Sequence, residues 1–381
     1  MHIVILGYLV RGPLGGASWH FLQYVIGFKK LGHEVLFLED SDDFASCYNP
    51  ITYETTTDPT LGIAFVQGLF KKYDLQDKWA YYDEHTNTWF GQTKEKVLHF
   101  CKNADVVLNI ANIHPLRDWW GKIPVRILLD TDPAFTQLRH LEEERYRKIA
   151  ESHNHFFSFG ENFGSEDCKI PDDGFPWKPT RQPVVSDIWT VAPPADENRG
   201  WTTVTQWDAY KVRQYNGFEF GMKSASFVDY FPLPQKIKET MELAVVGKAP
   251  IEKLEINGWR LINPLAISLT PDDFRNYIAQ SKGEWSVAKQ GYVVSKSGWF
   301  SERSTDYLAM GRPVVVQDTG FSKVIETGKG LLAFTSLDEA VEAINEVNGN
   351  YAQHCQWAKE ITETFFRSDI VLSSMLDRVN D

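Results

Sequence analysis

An α/β chain of two Rossmann-like domains facing each other across a cleft is what this sequence predicts, and three observations carry the expectation. Short apolar runs rich in β-branched residues alternate with amphipathic segments of helix length, the pattern of strands joined by crossover helices. The alternation stops at a proline-rich stretch and then starts again. At 381 residues the chain is long enough to bury two cores. The expected division is 1–190 for the first domain, 191–355 for the second, and 356–381 for a closing helix packed back on the first.

The first strand is the apolar run His2 to Leu6, ending at Gly7. A loop, Gly12-Pro13-Leu14-Gly15-Gly16-Ala17-Ser18, leads into a helix from Trp19 to Leu31, whose apolar residues include Phe21, Leu22, Val25, Ile26 and Phe28. Gly32 closes it, and Glu34 to Leu38 is the next strand. Together they form a β–loop–α–β unit, with ligands expected at the carboxyl ends of its strands. Thr60 to Tyr73 and Thr93 to Lys102 read as amphipathic helices, and Ala104 to Ile110 and Pro124 to Leu129 as strands followed by polar residues. Leu138 to Ala150 is a charged, solvated helix, and His155 to Gly160 a further strand. Phe175 to Pro183, with Ala192-Pro193-Pro194 soon after, is an extended connector, because its prolines forbid a continuous helix.

The second series opens with a strand at Thr202 to Thr205 and a helical region at Gly221 to Tyr230. Met241 to Gly247 is a strand, followed by Ile251 to Ile256 and by Arg260 to Asn263. Thr270 caps a helix that begins with Pro271 and places Asp272 and Asp273 in its first turn. Tyr292-Val293-Val294 and Gly330 to Phe334 are expected strands, and two helices, Ser336 to Val347 and Tyr351 to Arg367, close the chain. Between them lies the most informative stretch. A polar loop from Ser297 to Arg303 enters a short helix, Ser304 to Met310, which Gly311 ends and Pro313 keeps from resuming, and Val314 to Val316 is a buried strand. Free amides at Ser304, Thr305 and Asp306 would favour an anion, Arg303 would add a bidentate phosphate contact, and Asp306 would accept from ribose hydroxyls.

Asp306-Tyr-Leu-Ala-Met-Gly-Arg-Pro-Val-Val315 resembles the segment Glu-Ala-Met-Ala-x-Gly-x-Pro-Val-Val of GT-B-fold glycosyltransferases, chiefly the family-four type. Gly12-Pro-Leu-Gly-Gly16 is similar to the first loop of such enzymes. The resemblance implies that Gly15 and Gly16 let the backbone approach the donor phosphates. It also implies that Asp306 holds the ribose and that the second domain carries a nucleotide-diphosphate sugar while the first carries a hydroxyl acceptor. Asp306 stands where the family has Glu, and Gly298 stands where its first acidic residue would fall; Ser301 and Glu302 lie in the same loop, and Glu302 is the candidate for the missing acid. In inverting members of the plant natural-product type, a His near the place of His20 is the base, oriented by an Asp for which Asp130 and Asp132 are candidates. Lys223, Lys289 and Lys296 are candidate diphosphate contacts, and His114 is a second candidate base. One of Trp201, Trp207, Trp285 and Trp299 would stack on a base or sugar ring.

The expected activity is sugar transfer from a nucleotide-diphosphate sugar, with no cofactor and no metal. Asp130-Thr131-Asp132 has the letters of a metal-binding DxD motif, so a metal-assisted alternative stands beside it, as do a nucleotide-sugar epimerase of the same shape and a non-catalytic binding scaffold. The loop after the first strand is not GxGxxG, which weighs against a nicotinamide or flavin cofactor. A formal net charge of −12 argues against nucleic acid as a partner. Four scattered cysteines (Cys47, Cys101, Cys168, Cys355) without CxxC spacing suit reduced thiols in a cytoplasmic protein. The start of the chain reads as a strand and not a signal peptide, and no apolar run approaches the roughly 18 residues of a membrane span.

Overall fold

The computed structural model describes residues 1–115, 117–189, 193 and 199–379. Its first half is a sheet built on β1 (His2–Leu6), which leads through α1 (Gly15–Lys30) to β2 (Glu34–Asp40). There follow β3 (Trp79–Asp83), β4 (Thr88–Gly91), β5 (Val106–Ile110), β6 (Val125–Asp130), α2 (Phe135–Glu142), β7 (His155–Ser158) and the two-residue β8 (Lys178–Pro179). The strand order is β8-β7-β6-β5-β1-β2-β3-β4, parallel throughout except for the β3–β4 pair at one edge. The central strands are buried on both faces, Ile3 to Leu6 and Val106 to Ile110 without exception, which is why they read as unbroken apolar runs instead of alternating ones.

The second sheet comprises β9 (Trp201–Gln206), β10 (Met241–Val246), β11 (Arg260–Ile262), β12 (Gly283–Ser286), β13 (Val314–Gln317) and β14 (Leu331–Phe334). Its order is β11-β10-β9-β12-β13-β14, all parallel. In each half the first strand lies in the middle, flanked by the second on one side and a later strand on the other. Such a reversal opens a crevice at the carboxyl ends of the strands, where doubly wound sheets bind ligands. The two crevices face each other. The second core is strongly aromatic: Trp201, Trp207, Trp259 and Trp285 pack with Phe227, Phe231 and Phe334.

Three short helices of the second half matter below: α3 (Pro271–Gln280), α4 (Gln290–Ser295) and α5 (Glu302–Ala309). Thr270 caps α3 as expected, its hydroxyl accepting from the Asp273 amide at 3.1 Å. Tyr292 to Val294, expected as a strand, lie in α4; two β-branched valines and a tyrosine suit either state, and the packing of Tyr292 on Phe135 and Trp299 decides it. Helix α5 starts two residues earlier than expected and ends in a Schellman motif: Gly311 N–H bonds to Leu308 and Arg312 N–H to Tyr307, with Gly311 at φ +72°. Of the proline-rich connector, Ala192 and Pro194 lie outside the described residues. Pro193 is held through its carbonyl by the buried Arg312 guanidinium at 2.8 Å.

The chain returns to the first half at its end. After a helix, Tyr351–Ile361, and a wide turn at Thr362–Phe366, α6 (Ser368–Asp377) lies on α1, where Gly27 allows Leu372 and Ser368 to approach. The domains also meet directly. Gly15 at the start of α1 lies so close to Thr270 that a Cβ there would come within 2.1 Å of the Thr270 carbonyl oxygen, and Trp19 donates its indole N–H to Pro271 O at 3.1 Å. Among the described residues, no helix is long and apolar enough to cross a membrane.

Candidate active site

Where the two crevices meet, a cavity of about 300 Å³ opens between the domains. Tyr8 enters it from the loop after β1, Asp132 from the loop after β6, and Thr136 and Arg139 from one face of α2. The second domain contributes Tyr210 beyond β9, Lys223, then Lys289 and Tyr292 after β12, and Trp299, Glu302 and Arg303 around the start of α5. Four basic side chains (Arg139, Lys223, Lys289 and Arg303) and two carboxylates (Asp132 and Glu302) line it, in a chain of net negative charge.

Asp132 and Lys289 form the contact across the cleft. The Lys289 ammonium lies 2.8 and 3.0 Å from the two carboxylate oxygens, and the Tyr292 hydroxyl donates to the same group. Three rings surround that ammonium, Tyr210 at 4.5 Å, Phe135 at 4.9 Å and Tyr292 at 5.2 Å, stabilising the cation with their π-faces. Asp132 in turn raises the pKa of Tyr210, and burial followed by Asp132 raises that of Tyr292, so both phenols stay protonated donors. Trp299 stacks on Tyr292 at 4.3 Å and donates its indole N–H to Thr131 O at 3.3 Å, adding a second tie across the gap.

The Asp132 loop is pinned from below by Asp130. One Asp130 oxygen accepts the Asp132 amide at 2.8 Å; the other accepts the Ser158 hydroxyl at 2.6 Å and the Gln137 amide at 3.1 Å. Gln137 accepts the Ala134 N–H at 2.7 Å, and Ala134 has φ +74° and ψ −47°, a strained conformation for a residue with a Cβ. Burial raises the Asp130 pKa, with its hydrogen bonds opposing. Asp130 is thus committed to the interior. It neither orients His20 nor turns toward the cavity with Asp132, and the Asp130-Thr131-Asp132 triplet does not present two carboxylates to one ion.

The Tyr8 loop is held in a similar way. Glu39, at the end of β2, accepts the backbone N–H groups of Leu9, Val10 and Arg11 at 2.7, 2.8 and 2.7 Å. Burial nevertheless outweighs those bonds and pushes its pKa up to about 7.

The second-domain cations differ from one another. Arg303 is engaged on all sides, with Glu284 at 2.6 Å, the Val204 carbonyl at 2.9 Å and the Ser286 hydroxyl at 3.0 Å, so it shapes the cavity floor more than it reaches into it. Among the described residues, Lys223 donates to the Thr205 hydroxyl at 2.6 Å. Burial, then the nearby charges of Arg303 and Lys289, depress its pKa to about 7. Such a lysine is an anion site whose charge is incompletely compensated. At the start of α5, the Thr305 amide already bonds to Ser301 O at 3.2 Å, so the free amides belong to Glu302, Arg303 and Ser304 and not to Thr305 or Asp306.

Several expected site residues lie elsewhere. Gly15 and Gly16 do not line the cavity, and a Cβ at either would meet Thr270 or Phe274 of the second half. Lys296, at φ +47°, points to Asp167 at 3.3 Å on the surface. Thr305 is buried, its hydroxyl donating to Glu302 O, and Ser301 and Ser304 flank the cavity floor. Asp306 is buried beside Gln23 of α1 and does not line the cavity; burial, then Glu302 and Glu284, raise its pKa well above the usual carboxylate range. His20 makes edge contacts with Phe21, Tyr24 and Phe159, and burial lowers its pKa against the opposing pull of Glu302. His114 is buried, its Nε2–H donates to the Gly7 carbonyl at 2.7 Å, and burial pushes its pKa down to about 3. Since a carbonyl only accepts, Nε2 carries the proton there. Of the four tryptophans, Trp201 and Trp285 are core, while Trp207 and Trp299 line the cavity.

Gly298 has a geometric reason to be glycine. Its φ is +75°, and a Cβ would come within 2.9 Å of Asn162, whose side chain bonds to the carbonyls of Lys296 at 2.9 Å and Gly320 at 3.0 Å. An acid cannot stand at that place, and Glu302, one turn further on, is the carboxylate that reaches the cavity. Gly298→Ala is expected to lower stability by about 1–3 kcal/mol through strain and displacement of Asn162, read from the midpoint of urea unfolding at unchanged slope.

Tyr8, Arg139 and Tyr210 belong to no motif in the sequence. The signal for Tyr8 was its place directly after the first strand. For Arg139 it was the i, i+3 spacing from Thr136 on a helix that follows a strand end. Tyr210 sits in a loop and carried none.

No family model and no curated protein sequence matches the chain. Solved structures do, over the full length. An α-glucosyltransferase in complex with UDP-glucose and DNA containing an abasic site aligns with a TM-score of 0.62 at 10% identity, covering 100% of this chain and 99% of that one. Anabaena HepE in complex with UDP and glucose gives 0.57 at 10% identity over 99% of each chain. The sucrose-phosphate synthase of Thermosynechococcus elongatus gives 0.52 at 9%, covering 99% and 98%. These findings correct one expectation. Net charge was read as excluding a nucleic-acid partner, yet chains of this architecture and length have been solved on DNA, so a formal charge of −12 does not support that exclusion. Two doubly wound sheets, opposed at their crevices and superposable end to end on these enzymes, give this chain the GT-B glycosyltransferase fold.

Proposed function

We propose that the protein transfers a sugar from a nucleotide-diphosphate sugar to a hydroxyl acceptor, with a uridine diphosphate sugar the first donor to test. The observation that carries this reading is the convergence of Lys223, Lys289 and the free amides of α5 on one side of a cleft whose other side presents Asp132. The diphosphate would lie against the two ammonium groups and the helix start, which are already oriented toward a developing negative charge. As the bond between the anomeric carbon and the phosphate oxygen breaks, its electron pair stays with the diphosphate. The acceptor oxygen bonds to the anomeric carbon and its proton passes to Asp132. For this, Lys289 must leave Asp132 for the phosphate, which frees the carboxylate oxygens when the donor is in place. We further propose that no metal takes part, since the cations suffice and Asp130 is turned inward.

Calorimetry with UDP, GDP and dTDP tests the reading. Saturable binding of at least one, unaffected by EDTA, is expected. Absence of binding to all three at millimolar concentration would overturn it.

A further inference from the structure

A second interdomain cavity lies beside the first and is larger, about 660 Å³, within the range that holds a small organic ligand. Its walls are the carboxyl ends of β9 and β10, the segment Asn263 to Ser268, Leu14 from the loop after β1, and Tyr48 and Tyr53 from the first domain. Gln206 lines both cavities, and Thr205, which holds Lys223 in the first, forms part of the wall of the second. Gln206 and Thr205 thus form the boundary between this cavity and the proposed transfer centre.

Its chemistry is the opposite of its neighbour's. The lining is mainly apolar, with Leu14, Val204, Val245, Val246 and Leu265, and among the described residues no charged side chain contributes. Three of its polar side chains are bonded within the protein. Thr205 accepts from Lys223 at 2.6 Å, the Asn263 oxygen accepts the Leu265 amide at 3.0 Å, and the Ser268 hydroxyl donates to Pro264 O at 2.7 Å. What the wall offers is area and rings. Tyr48 and Tyr53 come from a hairpin, Cys47–Asn49 with Glu54–Thr56, that is tied to the first domain by the Tyr48 amide on Arg11 O at 3.0 Å. Tyr53 is held at φ +61°, strained for an aromatic residue, and 60% exposed, while Val246 opposite is 41% exposed. Two large apolar side chains left open to water on facing domains mark a surface shaped for a ligand.

We propose that this cavity is the acceptor subsite, and that the acceptor is an apolar, ring-containing alcohol or phenol whose hydroxyl projects past Gln206 toward Asp132. The proposal rests on the reading of the first cavity as the donor site, and it narrows the acceptor to a class. The body of the molecule is held by burial against Leu265 and Val246 and by the tyrosine rings; the hydroxyl alone enters the polar side.

The experiment uses the full chain with two fluorescent probes, 2-naphthol and 4-methylumbelliferone, titrated with and without saturating UDP. Binding to the wild-type protein is expected. Leu265→Trp, which fills the cavity, and Val246→Lys, which charges an already solvent-accessible wall, should each weaken probe binding by about tenfold or more. Affinity for UDP should stay within about twofold in both. Val246→Lys guards against a folding defect in the bulkier variant, and retained UDP binding certifies either. Equal probe binding in wild type and Val246→Lys would overturn the proposal, as would a UDP-loaded wild type that binds neither probe. If UDP itself fails to bind, it is the donor-site reading that falls, whereas UDP binding without probe binding sinks the acceptor subsite alone.

Discussion

Asp132→Asn is expected to slow sugar transfer by about 10³-fold, the scale of losing a positioned proton acceptor, while nucleoside diphosphate binding stays equal or becomes tighter. The two halves of that result come from one contact. In the unliganded cleft the Asp132 carboxylate holds the Lys289 ammonium at 2.8 and 3.0 Å, so a bound diphosphate must compete with it for the same cation. An amide keeps the shape, still receives the Tyr292 hydroxyl and leaves the loop pinned by Asp130, but it no longer competes with phosphate and cannot take a proton. A merely structural aspartate would give a different pattern, with weaker binding and slower turnover together. Donor turnover and calorimetry with UDP on the same preparation separate the two. Unchanged turnover in Asp132→Asn would remove Asp132 from the mechanism.

The contrast between Asp130 and Asp132 also shows how far this chain could be understood from its letters. Strands and helices were legible because burial on both faces leaves unbroken apolar runs, and because Gly311 and Pro313 punctuate α5 as local chemistry requires. Two aspartates at the end of a strand looked equivalent. Only the fold shows that one points down to Ser158 and Gln137 and the other out to Lys289, 157 residues away in the chain. Gly15 is the same lesson reversed. A glycine pair after a first strand suits a phosphate, but the partner that needs the space is the Thr270 carbonyl of the other domain, a contact with no local signature. Asp306 matches a motif position, yet a one-turn shift in which acid faces the cleft makes Glu302 the carboxylate that lines the cavity while Asp306 is buried. Motif position and side-chain direction are separate facts, and only the first is carried by sequence.

Lys223 should make donor binding depend on pH, with a sign that follows from its surroundings. In the free cleft its pKa is depressed to about 7, first by burial, then by Arg303 and Lys289, against the weaker pull of Glu284 and Glu302. A diphosphate placed among these groups adds negative charge and raises that pKa, so binding draws a proton onto Lys223 wherever the free protein has lost it. Below about pH 7 the lysine is already charged and contributes no slope; above it, affinity should fall by up to about one log unit per pH unit until the raised pKa of the complex is reached. Calorimetry in two buffers of different ionisation enthalpy should report uptake of up to one proton at alkaline pH. Glu39, at the end of β2 beneath the Tyr8 loop, also has its pKa pushed up to about 7, and a second variant separates the two groups. Lys223→Arg keeps the charge fixed and should flatten the dependence, whereas Lys223→Met should flatten it and also lower affinity at neutral pH by about 10- to 100-fold, the size of a lost charge-assisted contact. A slope that survives in Lys223→Arg would assign the titration to Glu39 and the loop it holds, and would leave the diphosphate to Lys289 and the amides of α5.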